Sequence, residues 1–218
     1  MTQKRLPAAE RREQILRTAR TMIRERGIDG FALRELAREL GIRAPSLYRY
    51  FESKESLLIE LQVESIRLAT ACIAEHAAAW EGAQETPPQA ALAGILGSVS
   101  GAFAMPVEHS ELLSLSTGPR RFLSDKGFDV LREDLKGLFA GPYERLHRAA
   151  VTGALCEGDA GARTIRLWML VQGAFACAKY SRVLPGWPTS IAEALPATRD
   201  LLRGWGASEE TLRGIDAP

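Results

Sequence analysis

Cysteine and histidine occur only three times each in this chain of 218 residues. Cys72, Cys156 and Cys177 lie far apart and never in a C-x-x-C pair. That pattern supplies neither a disulfide framework nor a zinc site, and it fits a reducing cytoplasm. His76, His109 and His147 form no H-E-x-x-H or comparable ligand spacing, so neither metal nor cofactor is expected. Ser, His and Asp are all present, yet no G-x-S-x-G elbow organises them into a nucleophile site. Long hydrophobic runs are also missing. The most apolar stretch, Leu167 to Ala178, is too short for a membrane span and includes Gln172. Met1 to Gln14 is charged, without the apolar core of a secretory signal, so a cytoplasmic location with no membrane partner is expected. No alternating run of β-branched residues points to a sheet, and there is no internal repeat.

What is present is a chain 46% hydrophobic and 25% charged, enough apolar material for a sizeable core and too much for a disordered protein. The net charge of +1 is unremarkable until its distribution is read. Residues 1–60 hold 13 Lys/Arg against 9 Asp/Glu, and the remainder holds 15 against 18. A basic amino-terminal quarter on an acidic body fits a small module that meets a polyanion, attached to a body with another task.

Helical periodicity runs almost throughout. Ile15, Ala19, Met22 and Ile23 line one face of a helix over Ala8–Arg26 that Gly27 stops. Short helices are predicted over Leu33–Leu40 and Ala44–Phe51, then a long one over Lys54–Trp80 with Ser53 as its cap. Further helices are predicted at about 89–104, 108–117, 124–153, 160–181, 189–203 and 208–214. Gly141-Pro142 is expected to kink or divide the longest of them. The fold class is therefore all-α, with about nine or ten helices in two unequal parts.

The stretch Phe31 to Lys54, FALRELARELGIRAPSLYRYFESK, carries the function. A helix-turn-helix needs a small residue where its helices cross, a residue tolerant of φ > 0 in the turn, and an apolar residue pointing back to the core. Ala37, Gly41 and Leu47 meet those three needs over residues 32–51. The outward face of the second helix then carries Arg43, Ala44, Pro45, Ser46, Tyr48 and Arg49. Arginine can read guanine bidentately, and hydroxyls reach phosphates. Lys54 at the next helix start suits a phosphate. Arg11 and Arg12 are candidates to track the DNA backbone, Arg17 and Arg20 weaker ones.

The blocks LRELARELGI and SLYRYFESK, after a helix that ends in Gly, resemble the amino-terminal domain of TetR-type (tetracycline-repressor family) regulators over residues 9–69. The resemblance implies a three-helix DNA-binding domain at 9–69 and a ligand-binding and dimerisation domain at 70–218. It adds Arg34 as a residue that reaches a base or phosphate. One departure is Ala32, where such proteins usually place Thr or Ser; the missing cap costs on the order of 1 kcal/mol. Trp168 to Gly173 resembles a W-x-x-x-H-G helix of some effector domains, with Gln172 in place of the histidine.

The expected function is a homodimeric, ligand-responsive regulator, not an enzyme, that represses from a palindromic double-stranded operator and is released by a small apolar effector. Phe103, Phe122, Phe139, Tyr143, Trp168, Gln172, Phe175 and Tyr180 are the candidates to line its pocket. Helices 160–181 and 189–203 are expected at the dimer interface, with Leu167, Leu170, Val171, Ala174 and Ala178 facing the partner. The alternatives are an all-α enzyme and a helical interaction protein of the same fold that binds no operator.

Overall fold

The computed structural model describes residues 7–106, 109, 112–113 and 123–215. Among them the chain is all-α, with nine α-helices, one 3-10 turn and no strand. They form two compact units. The first holds the described residues up to Ser65 together with those of Val107–Arg132, and the second holds Ile66–Pro106 and those from Glu133 onward.

In the first unit, α1 (Ala8–Arg26) buries Ile15, Leu16, Ala19, Met22 and Ile23, and it stops at Gly27, whose φ is +70°. α2 (Leu33–Glu39) starts from Ala32, which makes no side-chain cap bond, as expected from its missing hydroxyl. Gly41 turns the chain at φ +65°, and the Ile42 N–H closes the turn on the Ala37 carbonyl at 2.9 Å. α3 is shorter than expected. Regular helix covers only Ala44–Leu47, and the chain continues as a turn through Tyr50. The Tyr50 N–H tightens onto Leu47 at 2.9 Å, while the Phe51 N–H keeps an α-type bond to the same carbonyl at 3.2 Å. The helix frays into a turn at the boundary that sequence fixes least well.

α4 (Lys54–Gly82) begins in the first unit and continues through the second. Ser53 and Ser56 cap its start reciprocally, each hydroxyl accepting the other's backbone N–H at 3.0 and 3.1 Å. α6 (Asp125–Val151) follows the same course between units. Pro142 lies inside it without dividing it. The helix expected at 108–117 falls mostly outside the described residues.

The second unit is built on α5 (Pro87–Ala104), buried on almost every side from Ala91 to Val99. Its neighbours there are α7 (Ala160–Cys177), α8 (Ala194–Gly204) and α9 (Glu209–Leu212). Two glycines let α5 lie flush on α4. A Cβ at Gly97 would fall 2.7 Å from the His76 carbonyl oxygen, and one at Gly101 2.4 Å from that of Cys72. α7 starts at the Asp159 cap and runs into a 3-10 turn over Ala178–Arg182.

α7 turns a different face outward from the one expected at the interface. Leu167, Val171 and Ala174 are buried within the chain itself, so they cannot face a partner. The outward residues are Ile165 and Met169, 51% and 65% exposed. α7 has apolar residues around most of its circumference, and periodicity alone gave no means of choosing the inward side. No helix among the described residues is long and apolar enough to cross a membrane.

Candidate nucleic-acid interface and apolar cavity

The helix-turn-helix rests on a buried frame of Leu36, Ala37, Leu47 and Phe51, all at most 2% exposed. That frame fixes which side chains are left outside. Arg34, on the first turn of α2, and Arg43, just before α3, are exposed. So are Pro45 and Arg49, while Ala44 and Ser46 are half-buried, and Tyr48 is 49% exposed. Neighbouring arginines are engaged: Arg26 and Arg38 both pair with Glu35, at 3.3 and 3.9 Å. Arg34, Arg43 and Arg49 form no ion pair among the described residues. The helix-turn-helix segment thus leaves three arginines and a tyrosine exposed, and of these Arg34 and Tyr48 share one groove. That groove is open and lined by Phe31, Ala32, Leu33, Arg34, Tyr48, Glu52, Ser53 and Lys54.

Lys54 is placed differently from an outward phosphate contact. Its Nζ donates to the carbonyls of Ile28 at 3.1 Å and Phe31 at 2.6 Å, and lies 5.5 Å from the Phe31 ring centroid. Two of its three N–H groups therefore fasten the turn that launches α2. Arg12 is engaged as well, by Glu60 and the Tyr50 carbonyl, with 41% of its side chain still exposed. Arg20 pairs with Glu64 at 2.9 Å.

Sequence reasoning treated His109 as a surface or satisfied core residue, and it is the latter. At 8% exposure its Nδ1 stands 2.9 Å from Ser65 Oγ, and its Nε2 3.4 Å from Arg20. Ser65 gives its own hydroxyl proton to the Leu61 carbonyl, so Nδ1 is the donor of that pair. Burial pushes the Glu64 carboxyl up, against the opposing pull of Arg20. Spacing could not reveal this cluster, because its members come from three separate segments.

In the second unit a cavity of about 40 Å³ is lined by Ile73, Ser98, Val99, Ala102, Leu138, Phe139, Pro142, Thr164, Leu167, Trp168 and Val171. Its two hydroxyls are spent on their own helices, Ser98 to the Gly94 carbonyl at 2.7 Å and Thr164 to that of Ala160 at 2.8 Å. Phe139 and Trp168 meet there edge to face, centroids 5.2 Å apart. They are the two expected pocket residues that the fold brings together at the cavity. Phe103 and Phe175 pair with one another at 4.9 Å, away from its lining. Tyr143 stacks on His147 and is 42% exposed. Tyr180 is half exposed beside Trp187 in a separate cleft, Gln172 is half-buried outside the lining, and Phe122 lies outside the described residues. Ile73, Val99, Ala102 and Leu138 were missed, since small apolar residues at helical spacing look the same in a core as in a cavity wall.

Residues 15–61 match the family of bacterial regulatory proteins, tetR family. The tetracycline repressor protein class D of Escherichia coli is 43% identical over 53 residues, 24% of this chain and 24% of that protein. The likeness thus spans about a quarter of that relative's length. At the level of fold it extends much further. A bacterial regulatory protein of the tetR family from Rhodococcus RHA1 superposes with a TM-score of 0.67 at 17% identity, covering 94% of this chain and 100% of that one. The structure of AibR in complex with isovaleryl coenzyme A and operator DNA gives 0.63 at 18% identity, over 86% and 96% of the two chains. Residues 15–61, on their buried helix-turn-helix frame, thus match the amino-terminal domain of the tetR family of bacterial regulatory proteins.

Proposed function

We propose that the protein is a homodimeric transcription regulator that represses from a palindromic operator and is released by a small apolar effector. The observation that carries this reading is the exposure of Arg34, Arg43, Tyr48 and Arg49 on a helix-turn-helix whose frame is buried, none of the three arginines pairing with a carboxylate among the described residues. Such groups suit a duplex: guanidinium groups read guanine edges or phosphates, and the tyrosine and Ser46 hydroxyls reach the backbone. Ala44 and Pro45 bring α3 close without bulk.

One three-helix head reads few base pairs, so two heads on successive major grooves are needed for useful specificity. The exposed Ile165 and Met169 on α7, with the neighbouring groove of Leu170, Ala197 and Leu201 rimmed by Arg166 and Asp200, supply a mostly apolar surface with a charged edge for the second copy. The cavity around Phe139 and Trp168 suits an uncharged apolar effector, and the complex of AibR with isovaleryl coenzyme A and operator DNA supports a regulator that takes both a small molecule and a duplex. Drug-sized ligands occupy roughly 300 Å³ or more, so the cavity walls must part to admit one. Ile73, in that wall, and Lys54, at the launching turn of α2, belong to one continuous helix, α4. Displacing Ile73 therefore shifts the reading head and the spacing between the two heads.

A gel-shift series on fragments from the protein's own chromosomal neighbourhood tests the reading. The wild-type protein should retard a discrete fragment, and the Tyr48→Ala/Arg49→Ala double variant should not. A well-folded double variant that still retards the same fragment would remove the assignment.

A further inference from the structure

The recognition segment is held by something other than its own helix. α3 has four residues, far below the length at which helix propagation repays nucleation. Leu47 and Phe51 anchor one face of the segment, at 0% and 2% exposure. Its closing carbonyls lack intrahelical donors, as at any helix end. Arg12, from α1, supplies one. Its Nη1 donates to the Tyr50 carbonyl at 2.7 Å, its Nε donates to Glu60 Oε1 at 2.8 Å, and its Nη2 pairs with Glu60 Oε2. The guanidinium carbon lies 4.4 Å from the centroid of the Phe51 ring. One side chain thus joins α1, the end of the recognition segment and α4, using three nitrogens and its flat face. Glu60 neutralises its charge, whereas Arg34, Arg43 and Arg49 keep theirs.

We infer that Arg12 is a positioning residue for DNA recognition: it fixes the Tyr50–Phe51 end of the segment so that Tyr48 and Arg49 point outward in a set register, and it does not contact phosphate. The inference rests on the DNA-binding reading above. The planar fork is essential, because the single nitrogen of a lysine cannot span both Glu60 oxygens, the Tyr50 carbonyl and the Phe51 ring at once.

The probe is a duplex enriched by the wild-type protein from a random-sequence pool, with affinities measured over a salt series. Arg12→Ala should weaken binding by about tenfold or more, the scale of losing hydrogen bonds from a charged group. The slope of log affinity against log salt should stay at the wild-type value, whereas Arg49→Ala should lower it by about one. Glu60→Gln gives a test of opposite sign and leaves Arg12 in place. A phosphate-contacting Arg12 would bind DNA more tightly once released from Glu60; a positioning Arg12 loses its anchor, and binding weakens. Amide hydrogen exchange needs no DNA: Tyr50 and Phe51 should exchange faster in both variants while Leu58 and Leu61 do not. A reduced salt slope for Arg12→Ala with unchanged exchange, tighter binding by Glu60→Gln, or no change in either readout overturns the inference. If the wild-type protein enriches no duplex, the DNA reading has failed, and the exchange data alone decide whether Arg12 fastens the segment.

Discussion

Arg34 and Arg38 are four residues apart on one short helix, yet only Arg38 has a carboxylate partner. Which arginines stay unpaired depends on where Glu35 and Glu60 are carried, and no spacing rule supplies that. The outward set Arg43, Tyr48 and Arg49 was legible because the anchors Ala37, Gly41 and Leu47 fix the phase of both helices. The engagement of Lys54 and Arg12 was not, since each depends on backbone carbonyls brought close by the fold. Glycine shows the same division. Gly27 and Gly41 were readable as turns and have φ of +70° and +65°. Gly97 and Gly101 matter through a neighbouring helix and were not singled out. Gly101→Ala should destabilise the protein by about 1–3 kcal/mol, because the new methyl meets the Cys72 carbonyl, a backbone atom that cannot swing aside. Gly137→Ala, in open space within α6, should stabilise it by about 0.5–1 kcal/mol. Thermal melts of the two variants should move in opposite directions; equal shifts would refute the close approach of α5 to α4.

Helices were read well as elements and poorly as faces. The end of α1 and the starts of α4 and α7 follow from Gly, Ser and Asp punctuation, while the side of α7 that faces inward depends on its neighbours. Ile165→Glu/Met169→Glu should leave the fold intact and shift light scattering from dimer to monomer. Leu167→Ala, by contrast, should cost about 2–4 kcal/mol of stability through a core cavity. A dimer surviving the double charge substitution would place the interface elsewhere. At the start of α6, the Glu55 carboxylate accepts the Ser124 N–H at 2.6 Å, and these hydrogen bonds with Ser124 hold its carboxyl below the usual glutamate range. A carboxyl lowered on folding adds stability that is fully present above its unfolded value and is lost as pH falls through its folded value. Stability of the wild-type protein should therefore fall more steeply than that of Glu55→Gln in mildly acidic solution below the ordinary glutamate pKa. Parallel curves would show that the Glu55 tie contributes nothing.

At the scale of the whole molecule, charge counts and the LRELARELGI and SLYRYFESK blocks set the amino-terminal quarter apart from the rest of the chain. The membership of the described Val107–Arg132 residues in the first unit was not legible there, because chain order separates them from it by two helices. A ligand releases DNA only by preferring the non-binding arrangement, and a hundredfold preference per dimer corresponds to about 2.7 kcal/mol of coupling. Reciprocity then requires operator DNA to weaken effector binding by the same factor. Calorimetric titrations of the effector with and without operator should differ accordingly, and Trp168→Ala should abolish the heat in both; identical affinities would leave the cavity without a regulatory role. The claim beneath all of this is that two heads read one duplex. Selection from a random-sequence pool with the purified protein measures it most directly. An inverted repeat with half-sites about one helical turn apart is the expected consensus, and it should be lost with Tyr48→Ala/Arg49→Ala. No enrichment, or a single unrepeated half-site, would contradict it.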